Sequence, residues 1–423
     1  VPTGNLKGFS HYNGSDWINT PFTSAFPVLD LVNITIDPNH DNRAFISSFS
    51  QTDSGNILSG GGLLEVLDDK IVSFYNSKNS PLEDLYPSDP NLITTRINGT
   101  VFDSQGNLWV TDALATNKLK KLSANGSWQG FDLRSLQTNQ AEELNKITID
   151  KTNNLWIGTR RNGVYVYNEN GDRKRALTTE PTKGNLPHAN VRTIAVDSNN
   201  RIWLGTQSGL VTFNNANGLF EASIYDAEPI ILDDGIPKKL LGDQTINSIA
   251  VDGADNKWFG TDNGGVLYTN PNGQTTLASF NKDNSPLPSN KILKITIDKS
   301  SGKVFFATDK GVVAYNSSVA SFGDTLGEVY AYPNPVLKNH QSVTIDGKNG
   351  THLPKGTNVK IVDVSGNLVY ETNVVEGQQL QGGKVVWNKK NLSGKKVASG
   401  VYIVLLTNDE ASESSSCKIA IIN

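Results

Sequence analysis

One cysteine, Cys417, and no methionine occur in 423 residues. A single thiol excludes an intramolecular disulfide framework and any cysteine-rich metal site. The lack of Met is odd at this length, where ordinary composition supplies several; modified methionines left out of the written chain would account for it. There is no basic run either. Lys and Arg number 38 against 42 Asp and Glu, for a net charge of −4 and a pI near 5.8, so non-specific nucleic-acid binding has no electrostatic footprint. No apolar stretch approaches the length that spans a bilayer, and the longest, residues 401–406, is strand-sized. No transmembrane segment is expected. The five histidines, His11, His40, His188, His340 and His352, are scattered without metal-site spacing and read as surface residues. Gly-x-Ser-x-Gly elbows and phosphate-cradling glycine loops are missing. These absences leave no catalytic residue, no metal and no cofactor to nominate.

What the chain has is turns and repetition. Glycine is frequent, at 38 residues, and amphipathic patterns are short, which argues for an all-β chain. One repeat runs Ile147-Thr148-Ile149-Asp150 and on to Leu155-Trp156-Ile157-Gly158-Thr159. Others join Ile194 and Asp197 to Trp203-Leu204-Gly205-Thr206, and Ile249 and Asp252 to Trp258-Phe259-Gly260-Thr261. Weaker copies hold Asp103 with Trp109 and Thr111, Asp298 with Phe305 and Thr308, and Asp37 with Phe45. Three of the five intervals between these aspartates are 46 or 47 residues. A second strand pair follows the strong copies, as at 163–168 and 209–214. Linkers recur as Asn79-Ser80-Pro81-Leu82, Asn185-Leu186-Pro187 and Asn284-Ser285-Pro286-Leu287.

The apolar, β-branched run before each Asp suits an inner strand. The Asp closes the hairpin as an Asx-turn, the Trp fills space between radiating sheets, and Gly-Thr leaves the strand where bulk must be small. Four strands at this period make a β-propeller. Residues 8–13 and 16–19 read as two outer strands of a further blade. They either close the sixth or belong to a seventh begun upstream, so the expectation is six to seven four-stranded blades, with seven preferred. The chain starts at Val1 and is expected to be a mature form or a piece of a longer protein, so a missing leader is no sign of the cytoplasm.

The tail has another pattern. It opens with Tyr332-Pro333-Asn334-Pro335, where prolines mark a lead-in and not a central strand. Segments 359–364 and 368–374 flank the hairpin tip Ser365-Gly366-Asn367. Segments 384–387 and 401–407 follow, then a hydrophilic stretch and a last strand from Lys418. This predicts a small antiparallel β-sandwich over 328–423 behind a propeller over 1–327.

The repeats resemble the two-component-regulator type of propeller repeat, through the Asp…Leu-Trp-Ile-Gly-Thr…Gly-Leu pattern. They lack the Gly-His and Trp-Asp pairs of WD repeats. The tail resembles the C-terminal sorting domain of the type IX secretion system, the Bacteroidetes route to the cell surface. The residues that match are Tyr332, Pro333, Asn334 and Pro335, Gly366 in Asp363-Val364-Ser365-Gly366, Trp387, Gly400 and Tyr402 in Ser399-Gly400-Val401-Tyr402, and Lys418. A generic immunoglobulin-like sandwich would explain the strands but not these motifs in this order.

Joined, the two patterns look like the PorZ family of secretion components. That resemblance implies a non-enzymatic protein on the extracellular face of the outer membrane. It implies as partners a sortase and outer-membrane proteins of the attachment complex, and anionic lipopolysaccharide or another glycan. It also implies a C-terminal domain that is retained and an N-terminal propeller beyond this chain. Two other readings stand beside it: a secreted glycan-binding cargo whose tail is cleaved on export, and, further behind, the sensor ectodomain of a hybrid two-component system. For ligand contact the residues to watch are those that break the repeat at loop positions. Arg160 and Arg161 stand where other blades have Gln207-Ser208 or Asp262-Asn263, and guanidinium groups grip phosphate and carboxylate bidentately. Asp233-Asp234-Gly235 is the one acidic pair in a loop, too few carboxylates for a calcium cage, and reads as a solvated turn.

Overall fold

The Asp of each strong repeat does more than close a turn. In this computed structural model Asp150 Oδ1 accepts the N–H groups of Thr152 at 2.8 Å and Asn154 at 2.9 Å, while Oδ2 accepts the Trp156 indole N–H at 2.9 Å. Asp103 with Trp109, Asp197 with Trp203 and Asp252 with Trp258 repeat the indole bond at 2.9, 2.9 and 3.2 Å. A buried carboxylate must be well paired to be tolerated. The turn amides and the indole on the strand that follows supply that pairing, and each Trp is thereby fixed in rotation as well as packed.

The structure describes residues 8–12, 16–21, 30–40, 42–49, 51–53, 56–58, 60–113, 115–136, 143–232, 237–298, 302–317, 319, 321–348, 351–374 and 382–423. Asn13 and the 233–235 acidic loop lie outside them. The chain packs as two compact units, 1–229 with 241–246, and 230–240 with 247–423.

In the first unit Phe9–Tyr12 pairs with Trp17–Thr20 as a two-stranded antiparallel sheet. Then come meanders in which strands follow chain order. The first is Asp30–Ile36, Arg43–Phe49, Gly62–Leu67 and Lys70–Tyr75, with a small hairpin, Gln51–Asp53 and Asn56–Leu58, inserted between its second and third strands. The next are Ile97–Phe102, Leu108–Asp112, Leu119–Leu122 and Trp128–Phe131, and then Leu144–Ile149, Leu155–Thr159, Val164–Asn168 and Arg173–Leu177. A three-stranded sheet follows, Val191–Val196, Ile202–Thr206 and Leu210–Phe213. The second unit holds the sheet of Ile246–Val251, Lys257–Thr261, Val266–Thr269 and Thr276–Phe280, and that of Ile292–Ile297, Val304–Thr308 and Gly311–Tyr315. The fold is all-β and of β-propeller type, one meander per sequence repeat. Helical structure among the described residues is confined to 3-10 turns, as at Arg134–Leu136 and Ala216–Gly218.

Two devices join successive blades. A Cβ on Gly158 would lie 2.9 Å from the Val191 carbonyl oxygen, and one on Gly260 would lie 2.5 Å from Ile292 Cγ2. The Gly of Gly-Thr is therefore small because the next blade's first strand passes over it. The second device escaped the sequence reading. Asn145 Nδ2 donates to the Val191 carbonyl at 2.8 Å and Asn247 Nδ2 to that of Ile292 at 2.9 Å; Asn98 reaches the Leu144 carbonyl in the same way. Each Asn stands five residues before its Asp, a signal present in the sequence. The sixth repeat departs from the pattern: Phe305, opposite Thr296 where Trp156 lies opposite Thr148, remains 37% exposed.

The C-terminal segment stacks two sheets, Val329–Tyr332, Val343–Gly347 and Val385–Trp387 on one side, and Leu368–Asn373, Asn358–Asp363, Gly400–Thr407 and Ser414–Ile421 on the other. Val336, Ile345, Val359, Ile361, Trp387, Val404 and Ile419 meet in its core. The last strand starts at Ser414, inside the stretch read as hydrophilic, because its alternate residues face solvent. His352 is not a surface residue: it is 8% exposed and its Nδ1 lies 3.0 Å from Asp346 Oδ1. Burial beside a carboxylate explains the difference.

Candidate functional site

Arg160 and Arg161 sit in the turn after Leu155–Thr159 and are both exposed. They do not act as a matched pair. Arg160 Nη1 is engaged by Glu143 Oε2 at 2.6 Å, and its backbone N–H donates to the Glu143 carbonyl at 2.9 Å. Arg161 has no such partner among the described residues. The same repeat-breaking criterion picks out Arg192, which the sequence reading passed over. It occupies the position of Asn98, Asn145 and Asn247, five before Asp197, and is half-buried.

The sorting-type residues assemble around the last strand. Tyr332 ends its strand at Pro333, as expected of a residue pair that cannot continue a ladder. Asn334 then replaces the backbone. Its Nδ2 donates to the Lys418 carbonyl at 2.8 Å and its Oδ1 accepts the Ala420 N–H at 3.0 Å. Val336 continues the pairing through Ala420 and Ile422, at 2.7 and 2.9 Å. A side-chain amide thus fills the rung that two prolines leave empty, and the 418–422 end of this strand's edge is covered, which blunts its capacity to pair with other chains.

Trp387 is fully buried, donates to the Lys390 carbonyl at 2.8 Å and meets Tyr402 edge-on at 5.7 Å. Tyr402 OH donates to the Ala398 carbonyl at 2.9 Å, tying the strand start to the preceding turn. Gly366 has φ +84 with nothing near its missing Cβ, so backbone conformation alone demands glycine. Gly400 lacks that demand, since a Cβ there would meet only Tyr402 Cε2 at 4.0 Å. Lys418 is exposed, opposite Ile403. On this outward face Val401, Leu405 and Leu368 are also exposed, with Lys360 opposite Leu405. The surface is apolar with cationic edges.

Titratable groups concentrate elsewhere. Asp112 is fully buried at the end of its strand, where Oδ2 accepts the Glu83 N–H at 2.7 Å and Oδ1 has no partner. Burial pushes its carboxyl up to about 8. Glu83 beside it is held below the usual range by the Lys120 ammonium at 2.6 Å and by the Asn117 and Thr116 amides, against its own burial. Among the described residues no cluster of His, Cys, Asp or Glu is arranged to hold a metal ion, and no helix is long and apolar enough to cross a membrane.

Comparison with known families places both halves of this geometry. Residues 330–422 match the secretion system C-terminal sorting domain, and residues 185–208 match the two component regulator propeller. No curated protein sequence matches the chain. Among solved structures it is similar to PorZ of Porphyromonas gingivalis, described as an essential bacterial surface component of the type-IX secretion system. The TM-score is 0.64 at 24% identity over 100% of this chain and 57% of that one. It also aligns with the extracellular domain of a one component system from B. thetaiotaomicron, at TM-score 0.48 and 12% identity over 99% of this chain and 55% of that one. A third is virginiamycin B lyase from Staphylococcus aureus, at 0.43 and 13% over 74% and 90%. The chain spans 57% of the PorZ structure's length, and what the two share is the fold.

Proposed function

We propose that the protein is a non-enzymatic, cell-surface component of the type IX secretion attachment complex on the extracellular face of the outer membrane. On this reading residues 1–327 are the propeller and 328–423 a sorting-type domain that stays attached. The observation that carries it is the combination of that tail with a PorZ-like fold along the whole chain. Its ligand is anionic lipopolysaccharide or a related glycan, with Arg161 and Arg160 as the contacts; Arg161 is the stronger of the two, because Glu143 already holds Arg160. The apolar, lysine-edged face around Leu405 and Lys418 supports docking of a sortase or an outer-membrane partner, since exposed apolar patches rimmed by charge mark protein contacts. Among the described residues no cluster of His, Cys, Asp or Glu that could hold a metal ion supports an enzymatic reading.

The second reading, a secreted cargo whose tail is removed, is favoured by the sorting domain itself. Intact mass of the mature surface protein separates the two. A species that retains the residues after about 330 supports the component, and one that has lost them sinks it. Co-purification with a sortase argues in the same direction as retention.

A further inference from the structure

A cavity of about 390 Å³ opens between the turn after Asp103 and the turns that bracket Leu155–Asn168, a volume suited to a small ligand. Ile149 gives it apolar lining, Trp109 lies behind that wall at 3% exposure, and Gln105, Asn153 and Asn170 stand at its mouth, all three exposed. Its charges are already spent on each other or on the fold. Glu169 is paired with Lys121, Arg173 Nη1 lies 3.1 Å from Glu221, and Asp103 accepts Gln105 N–H, Asn107 N–H and Nδ2, and the Trp109 indole. An ionic ligand would find no uncompensated partner.

The carboxamides differ. Among the described residues neither the Gln105 nor the Asn170 side chain makes a hydrogen bond. The same Asn-Gly position in two other blades behaves otherwise. Asn125 Oδ1 accepts the Ser127 N–H at 3.0 Å, and Asn272 Oδ1 accepts the Gln274 N–H at 3.0 Å, so both are consumed by their own turns. In the Asn170 turn the N–H two residues on, that of Asp172, goes to the Glu169 carbonyl at 3.1 Å, and Asn168 Oδ1 takes the Asn170 N–H at 2.9 Å. The turn closes without the Asn170 side chain and leaves it facing the cavity.

We propose that this cavity is a binding site for a neutral sugar ring. Each carboxamide offers a donor pair and an acceptor, which is what vicinal hydroxyls require, while Ile149 meets the C–H face. The site is separate from the anionic-ligand contacts proposed at Arg160 and Arg161.

Isothermal titration of the full chain with the methyl glycosides of glucose, galactose, mannose and N-acetylglucosamine tests it. At least one binds saturably. Gln105→Ala and Asn170→Ala each weaken it roughly tenfold, the cost of one good hydrogen bond, without moving the thermal midpoint. Asn125→Ala, the same position in the preceding blade, leaves affinity unchanged. In the unsubstituted chain the Trp109 indole N–H resonance shifts with saturation, a readout that needs no variant. No saturable binding of any of the four glycosides, or binding that survives both alanine changes, overturns the proposal. Lipopolysaccharide binding that persists in Asn170→Ala would leave the secretion reading standing.

Discussion

The propeller turn at Asp150 and the sandwich turn at Asp363 are built alike. Asp363 Oδ1 accepts the N–H groups of Ser365 and Asn367, both at 2.9 Å, and its Oδ2 takes Asn367 Nδ2 at 2.9 Å. Asp150 does the same with Thr152, Asn154 and Asn154 Nδ2. Six residues on, the propeller has Trp156 and the sandwich has Val369. Asp150 lies in the interior, 4% exposed, with the indole as a further donor, whereas Asp363 is half-exposed. There its carboxyl is held below the usual range by the Asn367 side chain and backbone amides. The same local turn is a core anchor in one region and a surface hairpin in the other.

The largest effect that would break this contrast is on the buried acid. Asp150→Ala removes the acceptor of the Trp156 indole and of four other donors, and is expected to cost about 3–4 kcal/mol in urea unfolding of the full chain. Asp363→Ala should cost clearly less. Equal losses would show that burial does not separate the two turns.

Asp112 extends the contrast to pH. Its folded pKa lies above its unfolded one, so the folded state holds the extra proton and stability falls as pH climbs from about 4 to about 8. Asp112→Asn should remove that decline and raise stability at pH 8 by about 1–3 kcal/mol, read by denaturation across pH. Asp363 has the opposite sign: its contribution is present above the unfolded value near 4 and is lost as pH falls through the lowered one. Acid should therefore lower the protection factor of the Asn367 amide, measured against its intrinsic exchange rate at each pH, while that of the Asp112 region is unchanged.

A smaller effect isolates the sandwich edge. Asn334→Ala removes both bonds to the last strand and is expected to cost ~1 kcal/mol, with faster hydrogen exchange at the Ala420 amide and little change at Ile419. The smallest concerns glycines. Gly366→Ala forces a side chain into positive φ at roughly 1 kcal/mol, while Gly400→Ala should stay within about 0.5 kcal/mol. A large Gly400 effect would mean that this motif residue is constrained by something outside the chain's own fold.

Much of this was legible beforehand. The spacing of Asp103, Asp150, Asp197 and Asp252, each followed by an aromatic and Gly or Thr, announces a repeated four-stranded sheet, because turn chemistry and strand alternation are local. The Asx-turn role of those aspartates could be read for the same reason. Their bond to the indole could not, since it depends on how the second strand lies against the turn. His352 reads as a surface residue from its polar sequence neighbours, but the chain at Gly323 and Gly383 packs against it and its ring meets Asp346, contacts that sequence context does not display. The Asn98, Asn145 and Asn247 clasps were visible as a spacing but not as contacts.

The sequence alone therefore determined the strands, the turns, the repeat and the sorting-type tail, all consequences of side chains acting within a few residues of themselves. Tertiary structure decided which polar groups are used up and which remain. Asn170 and Asn125 read identically in the chain, yet one is spent on its own turn and the other faces a cavity, because hydrogen-bond commitment depends on where neighbouring strands bring their amides.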